Sequence, residues 1–165
     1  MSKTMENLAA AFAGESQAAK KYLAFAKKAD DEGLPQVARL FRAAAHAELV
    51  HALNHFRAME GVKSTVENLQ TAINGENYEV VSMYPPFIAE AEAEGAKRAV
   101  TSMQWALEVE KCHESLYREA LHGLDQEQGE YDYHVCPVCG YTHAHNAPDK
   151  CPVCGAPGSR FEQIK

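Results

Sequence analysis

The sequence predicts an all-α four-helix bundle with a long connection between its second and third helices, followed by a small module built on a four-cysteine metal site. Three observations carry this prediction. Apolar residues step by 4 and 3 along four long segments, glutamates and histidines interrupt those stripes at matched places, and two Cys-Pro-Val-Cys-Gly pentapeptides fall in the last 30 residues. A chain of 165 residues has room for one sizeable core plus a small module, since domains run to about 100–200 residues. Hydrophobic residues at 46% and charged residues at 24% exclude a disordered or collagen-like chain. The net charge of −7, with no basic cluster anywhere, argues against a nucleic-acid partner. Apolar runs are only a few residues long, so no membrane span is expected. The start MSKTMENLAAAFAGES lacks the basic n-region and long apolar stretch of a signal peptide, so a soluble cytoplasmic protein is expected.

The first helix is predicted over residues 4–32, with Leu8, Phe12, Glu15, Ala19, Tyr22, Ala26 and Ala29 on one seam. It should end near Gly33-Leu34-Pro35. The same stepping resumes at Val37, Phe41, Ala44, Glu48, His51 and His55, and Gly61 should stop this second helix. A connection of about a dozen residues reaching Gly75 is too long for a tight turn and suits a crossover. The third helix follows, with Glu76, Glu79 or Val80, Met83, Phe87 and Glu90 on one side, and Pro85-Pro86 should kink it or break its ladder locally. From about Gly95 a fourth helix places Ala99, Met103, Ala106, Glu110, His113, Tyr117, Ala120 and Leu124 at heptad spacing, ending at Gly123. The halves repeat: Glu15 precedes Glu48 by 33 residues, and Glu76 and Glu79 precede Glu110 by 34 and 31, which implies a pseudo-two-fold axis. Residues 125–133 then read as a polar linker, because the apolar stripe stops and Gly and Pro take over from Val135. The domains expected are therefore 1–124 for the bundle and 134–165 for the module.

Seam positions should be apolar, because an isolated buried carboxylate costs several kcal/mol or becomes neutral. Here they hold Glu15, Glu48, Glu76, Glu79 and Glu110. Several carboxylates in one interior cannot all stay ionised without cations, and two non-haem irons would nearly balance them. Residues at i and i+3 share a helix face, so Glu48 with His51 and Glu110 with His113 each offer an oxygen and an imidazole. Such ligands without a thiolate suit iron or manganese, and one Glu on two helices with Glu-x-x-His on the other two is the di-iron carboxylate pattern. A single Glu-x-x-His is common in charged helices; two copies at equivalent places in repeated halves are not. Tyr22 and Tyr84 stand one or two turns from Glu15 and Glu79, placed either to hydrogen-bond ligating carboxylates or to pack as core tyrosines. His55 reads as a core or rim histidine, His46 as solvated, Cys112 as a structural or surface thiol, and Trp105 as packing.

Cys136-Pro-Val-Cys139-Gly and Cys151-Pro-Val-Cys154-Gly place four thiolates in two tight turns, with glycine at the bend and amides directed at sulfur. Tetrahedral thiolate coordination of iron or zinc follows. A module of about 35 residues is too small to fold without metal or disulfides. Tyr141 and Phe161 would cover an electron-transferring iron, which favours iron; a zinc ribbon that only staples the module is the alternative. His134, His143 and His145 flank a shell already complete.

Together these motifs resemble the rubrerythrin family over nearly the whole chain, from Phe12 to Phe161. The resemblance rests on A-F-A-G-E-S-Q-A around Glu15, the Glu48-x-x-His51 helix, G-E-N-Y-E with Glu76 and Glu79, the M-Y-P that follows, Glu110-x-x-His113, and the rubredoxin-like C-P-V-C-G-Y…C-P-V-C-G. It implies a ferritin-like bundle with a di-iron centre held by Glu15, Glu48, His51, Glu76, Glu79, Glu110 and His113, and one further iron, replaceable by zinc, on Cys136, Cys139, Cys151 and Cys154. It also implies reduction of hydrogen peroxide to water, with electrons from the thiolate iron and a role in oxidative-stress defence. Glu76, Glu79 and His51 are the candidates to shift or carry protons at the reacting centre. The implied partners are an electron-donating reductase or rubredoxin and a second copy in a homodimer or larger homo-oligomer. A competing class is iron handling, in which a ferritin-like bundle oxidises ferrous iron with oxygen; the appended redox module speaks against it, since a ferroxidase draws electrons from its own substrate.

Overall fold

A computed structural model of the chain describes residues 2–126 and 129–165. The order of elements is α1 (Lys3–Asp31), α2 (Pro35–Ala58), α3 (Thr65–Tyr78), a π-helical segment (Glu79–Met83), α4 (Tyr84–Ala93), α5 (Lys97–His122), β1 (Tyr133–Val135), β2 (Thr142–Ala144), a 3-10 turn (Gly158–Arg160) and β3 (Glu162–Ile164). These elements divide into two compact units, Met1–Lys63 and Ser64–Lys165. Of the expected linker 125–133, residues 127 and 128 lie outside the described residues. No helix among the described residues is long and apolar enough to cross a membrane.

In the first unit α1 packs along α2. Ser2 caps α1 by accepting from the Met5 N–H at 3.3 Å, which satisfies one of the amides a helix leaves unpaired at its start. Near the joining turn Arg42 donates to Asp30 at 2.7 Å. The buried residues at the contact are small: Ala19, Ala26 and Ala29 from α1, and Ala38, Ala45 and Ala52 from α2. On α1 this is the expected seam. On α2 it is a heptad series one position away from the expected Val37, Ala44 and His51, and Val37 is 42% exposed. One position is about 100° round a helix, so small residues set the close approach while Glu48 and His51 stand on the adjacent face. The second helix ends through Glu60, which adopts φ 56, with the Gly61 N–H returning to the Phe56 carbonyl at 2.9 Å.

In the second unit α3, the π segment and α4 pack on α5. Residues 65–75, expected as connection, are helical instead. The sequence carries the start signal: the Ser64 side chain accepts from the Glu67 N–H at 3.3 Å, and the Glu67 carboxylate accepts from the Ser64 N–H at 3.2 Å. That reciprocal capping box starts a helix even where apolar periodicity is weak. Pro85 and Pro86 disturb the ladder as expected. They sit in the first turn of α4, where a missing N–H costs little, and the preceding residues Glu79–Met83 widen to π geometry, with the Tyr84 N–H reaching back to the Glu79 carbonyl. Such π turns concentrate at functional sites, and this one starts at an expected ligand.

The C-terminal strands form an antiparallel sheet in the order β2-β1-β3, pairing His134 with His143 and with Gln163. The two knuckles match each other. The Cys136 N–H bonds the Tyr141 carbonyl at 2.9 Å and the Cys151 N–H bonds the Ala156 carbonyl at 2.7 Å. Gly140 and Gly155 take φ 87 and 77, a left-handed conformation that favours glycine. Tyr141, Val153 and Phe161 pack over the buried Cys136, Cys151 and Ala156.

Candidate metal centres

Three groups of side chains converge as metal ligands would. In the first unit, Glu15 from α1 and Glu48 and His51 from α2 place one donor atom each within 4.8 Å of one another. In the second, Glu76 from α3 and Glu110 and His113 from α5 do the same. The repeat seen in sequence is a repeat of geometry: His51 Nδ1 lies 2.8 Å from Glu48 Oε2, and His113 Nδ1 lies 2.8 Å from Glu110 Oε2. Both imidazoles therefore turn the same nitrogen toward their carboxylates. His113 Nδ1 also stands 4.0 Å from Glu76 Oε1.

The charges of this second group ask for a cation. The Glu76 carboxyl is raised to about 7 by burial first, then by the charge and hydrogen bond of Glu110 and the charges of Glu79 and Glu114. Glu79 lies outside the tight group, yet burial and the charge of Glu110 raise its carboxyl too, partly offset by His113. Tyr84, expected near Glu79, has its hydroxyl raised by burial and by Glu79, Glu110 and Glu76. In the first unit, the Tyr22 ring is tilted against Phe25 and Phe41 at centroid distances of 6.2 and 6.1 Å. Two oxygens and one imidazole per group fit an iron or manganese ion.

The four cysteines are free thiols whose sulfurs all lie within 4.8 Å of one another. Cys136 and Cys154 sulfurs are 3.6 Å apart and those of Cys139 and Cys151 are 3.5 Å apart. These separations are far beyond a disulfide bond and close to the edge of a tetrahedron with a metal–sulfur bond of about 2.3 Å, which is about 3.8 Å. Backbone amides of Cys154 and Val153 point at the Cys151 sulfur, that of Tyr141 at Cys139 and that of Ala156 at Cys154. Burial raises Cys151, but these amides and the neighbouring thiols bring it down to about 7, while burial pushes Cys139 up. Thiols so close cannot ionise together without a cation, and a tetrahedral metal would supply it.

One contact was absent from the expectations. His113 Nε2 lies 3.0 Å from Thr142 Oγ1 on β2, and that hydroxyl reaches the Gly140 carbonyl at 3.2 Å. The Cys112 thiol, half-buried, donates to the Thr142 carbonyl at 3.2 Å, in keeping with the structural rather than the surface alternative. Thr142 carries no sequence signal, because a threonine in a short strand is ordinary until the fold sets it against a ligand. His46 is exposed, His55 and Trp105 are half-buried, and His143 Nδ1 bonds the Ala144 carbonyl. His134 Nδ1 is buried without a hydrogen-bond partner among the described residues.

Residues 6–121 match the rubrerythrin family profile, and residues 134–162 match the rubrerythrin rubredoxin-like domain. Rubrerythrin-2 of Clostridium acetobutylicum is 33% identical over 96% of this chain and 95% of its own length. Nigerythrin of Nitratidesulfovibrio vulgaris is 38% identical over 96% of this chain and 85% of its own. A structure of fully reduced, all-ferrous nigerythrin aligns over 99% of this chain and 88% of that one, at 37% identity and a TM-score of 0.61. The fold class is the expected one, ferritin-like helices followed by a rubredoxin-like module.

Proposed function

This chain belongs to the rubrerythrin family, and from that membership we propose that it is a non-haem di-iron peroxidase, reducing hydrogen peroxide to water with electrons from its four-thiolate iron site. Proteins of this family are generally di-iron oxidoreductases of oxidative-stress defence. The observation that carries the finer reading is the presence, in one chain, of two matched Glu-Glu-His groups and a four-thiolate group. A ferroxidase needs the first two and has no use for the third.

In this reading Glu15, Glu48, His51, Glu76, Glu79, Glu110 and His113 hold two irons, and Cys136, Cys139, Cys151 and Cys154 hold the third. When bound, the paired irons supply Lewis acidity toward the O–O bond and the two electrons its reduction requires. The chain's residues supply the rest. Glu79, outside the tight group and at the start of the π segment, is the carboxylate proposed to deliver protons to the departing oxygen. His51 is more exposed than His113, at 54% against 28% of its side chain, and bonds Glu48 as its one partner among the described residues. It is the ligand free to move as the oxidation state changes. Tyr84, beside Glu79 and Glu110, steadies the carboxylates, and Tyr22 is proposed for the same role toward Glu15 in the first unit. A reductase or a separate rubredoxin refills the thiolate iron, and the working assembly is a homodimer or larger.

The test is to reduce the iron-loaded protein anaerobically and follow the thiolate–iron absorption after adding peroxide or oxygen. Colour returning much faster with peroxide supports the peroxidase. Faster return with oxygen would assign oxygen reduction or iron oxidation instead.

A further inference from the structure

The four-thiolate module and the Glu76, Glu110, His113 group belong to the same compact unit, and Thr142 joins them by hydrogen bonds. Thr142 lies three positions after Cys139, and it grips two consecutive residues of α5: its carbonyl accepts from the Cys112 thiol at 3.2 Å and its hydroxyl lies 3.0 Å from His113 Nε2. A threonine hydroxyl has one proton to give. With that proton directed to the Gly140 carbonyl at 3.2 Å, the oxygen accepts from His113, which places the imidazole proton on Nε2. The Nδ1 lone pair is then free on the side where Glu110 and Glu76 stand. Histidines that bind metals are ordinarily oriented by such a bond from their other nitrogen, and here the orienting group is joined to the second metal site. Gly140 directly follows Cys139, so covalent bonds and two hydrogen bonds run without a gap from a thiolate position to a ligand imidazole. The apolar neighbours Leu116, Tyr133 and Val135 line the same hollow as His113 and Thr142. His51 has no counterpart of this tether among the described residues.

We propose that Thr142 is the positioning residue that couples the two metal sites, holding His113 as its Nε2–H tautomer and bridging it to Gly140. This rests on the di-iron and thiolate-iron reading above. The step it serves is a one-electron transfer in which ferrous iron on the thiolates becomes ferric and ferric iron at His113 becomes ferrous. No covalent bond changes, and peroxide reduction regenerates the ferric acceptor. Electronic coupling decays less steeply through bonds and hydrogen bonds than through empty space, so removal of the hydroxyl slows this step.

Two variants test it: Thr142→Val removes the hydroxyl at nearly constant shape, and Thr142→Ser keeps it. In a single turnover with peroxide, the return of thiolate–iron colour is expected to slow about 10–100-fold in Thr142→Val and to recover in Thr142→Ser, with the thiolate spectrum itself unchanged in both. Independently of turnover, imidazole nitrogen NMR of the zinc-loaded protein is expected to show a protected Nε2–H on His113 in the wild type and Thr142→Ser, and fast exchange of that proton in Thr142→Val. Wild-type transfer in Thr142→Val, equal slowing in both variants, or an unprotected His113 proton in the wild type would overturn the proposal. If wild-type colour fails to return with peroxide at all, the peroxidase reading fails, and the NMR comparison still decides the role of Thr142.

Discussion

The carboxyl of Glu76 releases its proton only near pH 7 in the metal-free protein, because burial, the charge of Glu110 and the neighbouring Glu79 and Glu114 all oppose its ionisation. The folded chain therefore binds this proton more tightly than the unfolded chain, whose glutamate titrates near 4.5. Linkage then gives the sign: the contribution to stability is fully present below about 4.5 and is lost as pH rises toward about 7. Glu79 is raised as well and adds in the same direction. Asp30 behaves oppositely, held low by its hydrogen bond to Arg42, and its contribution is complete above its ordinary value of 3.8, outside this window. Thermal unfolding of chelated protein is expected to shift to lower temperature between about pH 5 and 7.5, and the Glu76→Gln variant to show a flatter profile. An identical slope in the variant would place the effect elsewhere. Glu76, Glu110 and His113 were each legible as candidate ligands because a charged residue on an apolar seam contradicts its surroundings. Thr142 was not, since nothing about a strand threonine conflicts with its neighbours in sequence.

At the scale of elements, the fully buried residues where α1 meets α2 are alanines, and that choice has a consequence for the candidate ligands. Small side chains let the helix backbones approach closely, so Glu15 on one helix can reach the Glu48 and His51 pair on the other. Replacing Ala45, which is 4% exposed, with Leu forces a larger side chain into that contact. The expected cost is about 1–3 kcal/mol, read as a lower denaturant midpoint, together with weaker ferrous iron binding by the first group. An unchanged midpoint would mean that the helices part without penalty. The heptad stepping made both helices readable, but the buried line on α2 lies one residue from the expected seam, because stepping alone leaves neighbouring faces nearly equivalent. Helix α3 was hidden for a different reason. Its capping box, Ser64 with Glu67, is local and visible, while its apolar periodicity is too weak to announce the turns before Gly75.

For the whole molecule, the apolar surface of the first unit bears on assembly. Leu23, Phe25, Leu40, Leu49, Val50 and Leu53 of α1 and α2 are between 41% and 66% exposed, while the residues buried in those helices are alanines. Of these, Leu23, Leu49 and Leu53 line one hollow between α1 and α2; exposed apolar residues gathered in this way mark an interaction site, and the homodimer proposed here supplies the partner. Sedimentation at micromolar concentration is expected to give a dimer or larger species, with a thermal midpoint that rises with protein concentration. A monomer with a concentration-independent midpoint would remove the homodimer from the proposal.

The helical class, the matched ligand pairs and the four-thiolate module were determined by the sequence alone, for one physical reason. Each depends on spacing along a helix turn or a knuckle, and a periodic backbone converts such spacing directly into a shared face. Tertiary structure alone decided which face α2 buries, where the ladder widens to π geometry ahead of the proline pair, and that Thr142 stands between His113 and Gly140. Those features arise where segments distant in sequence compete for the same space or the same hydrogen-bonding group, and local spacing carries no record of that competition.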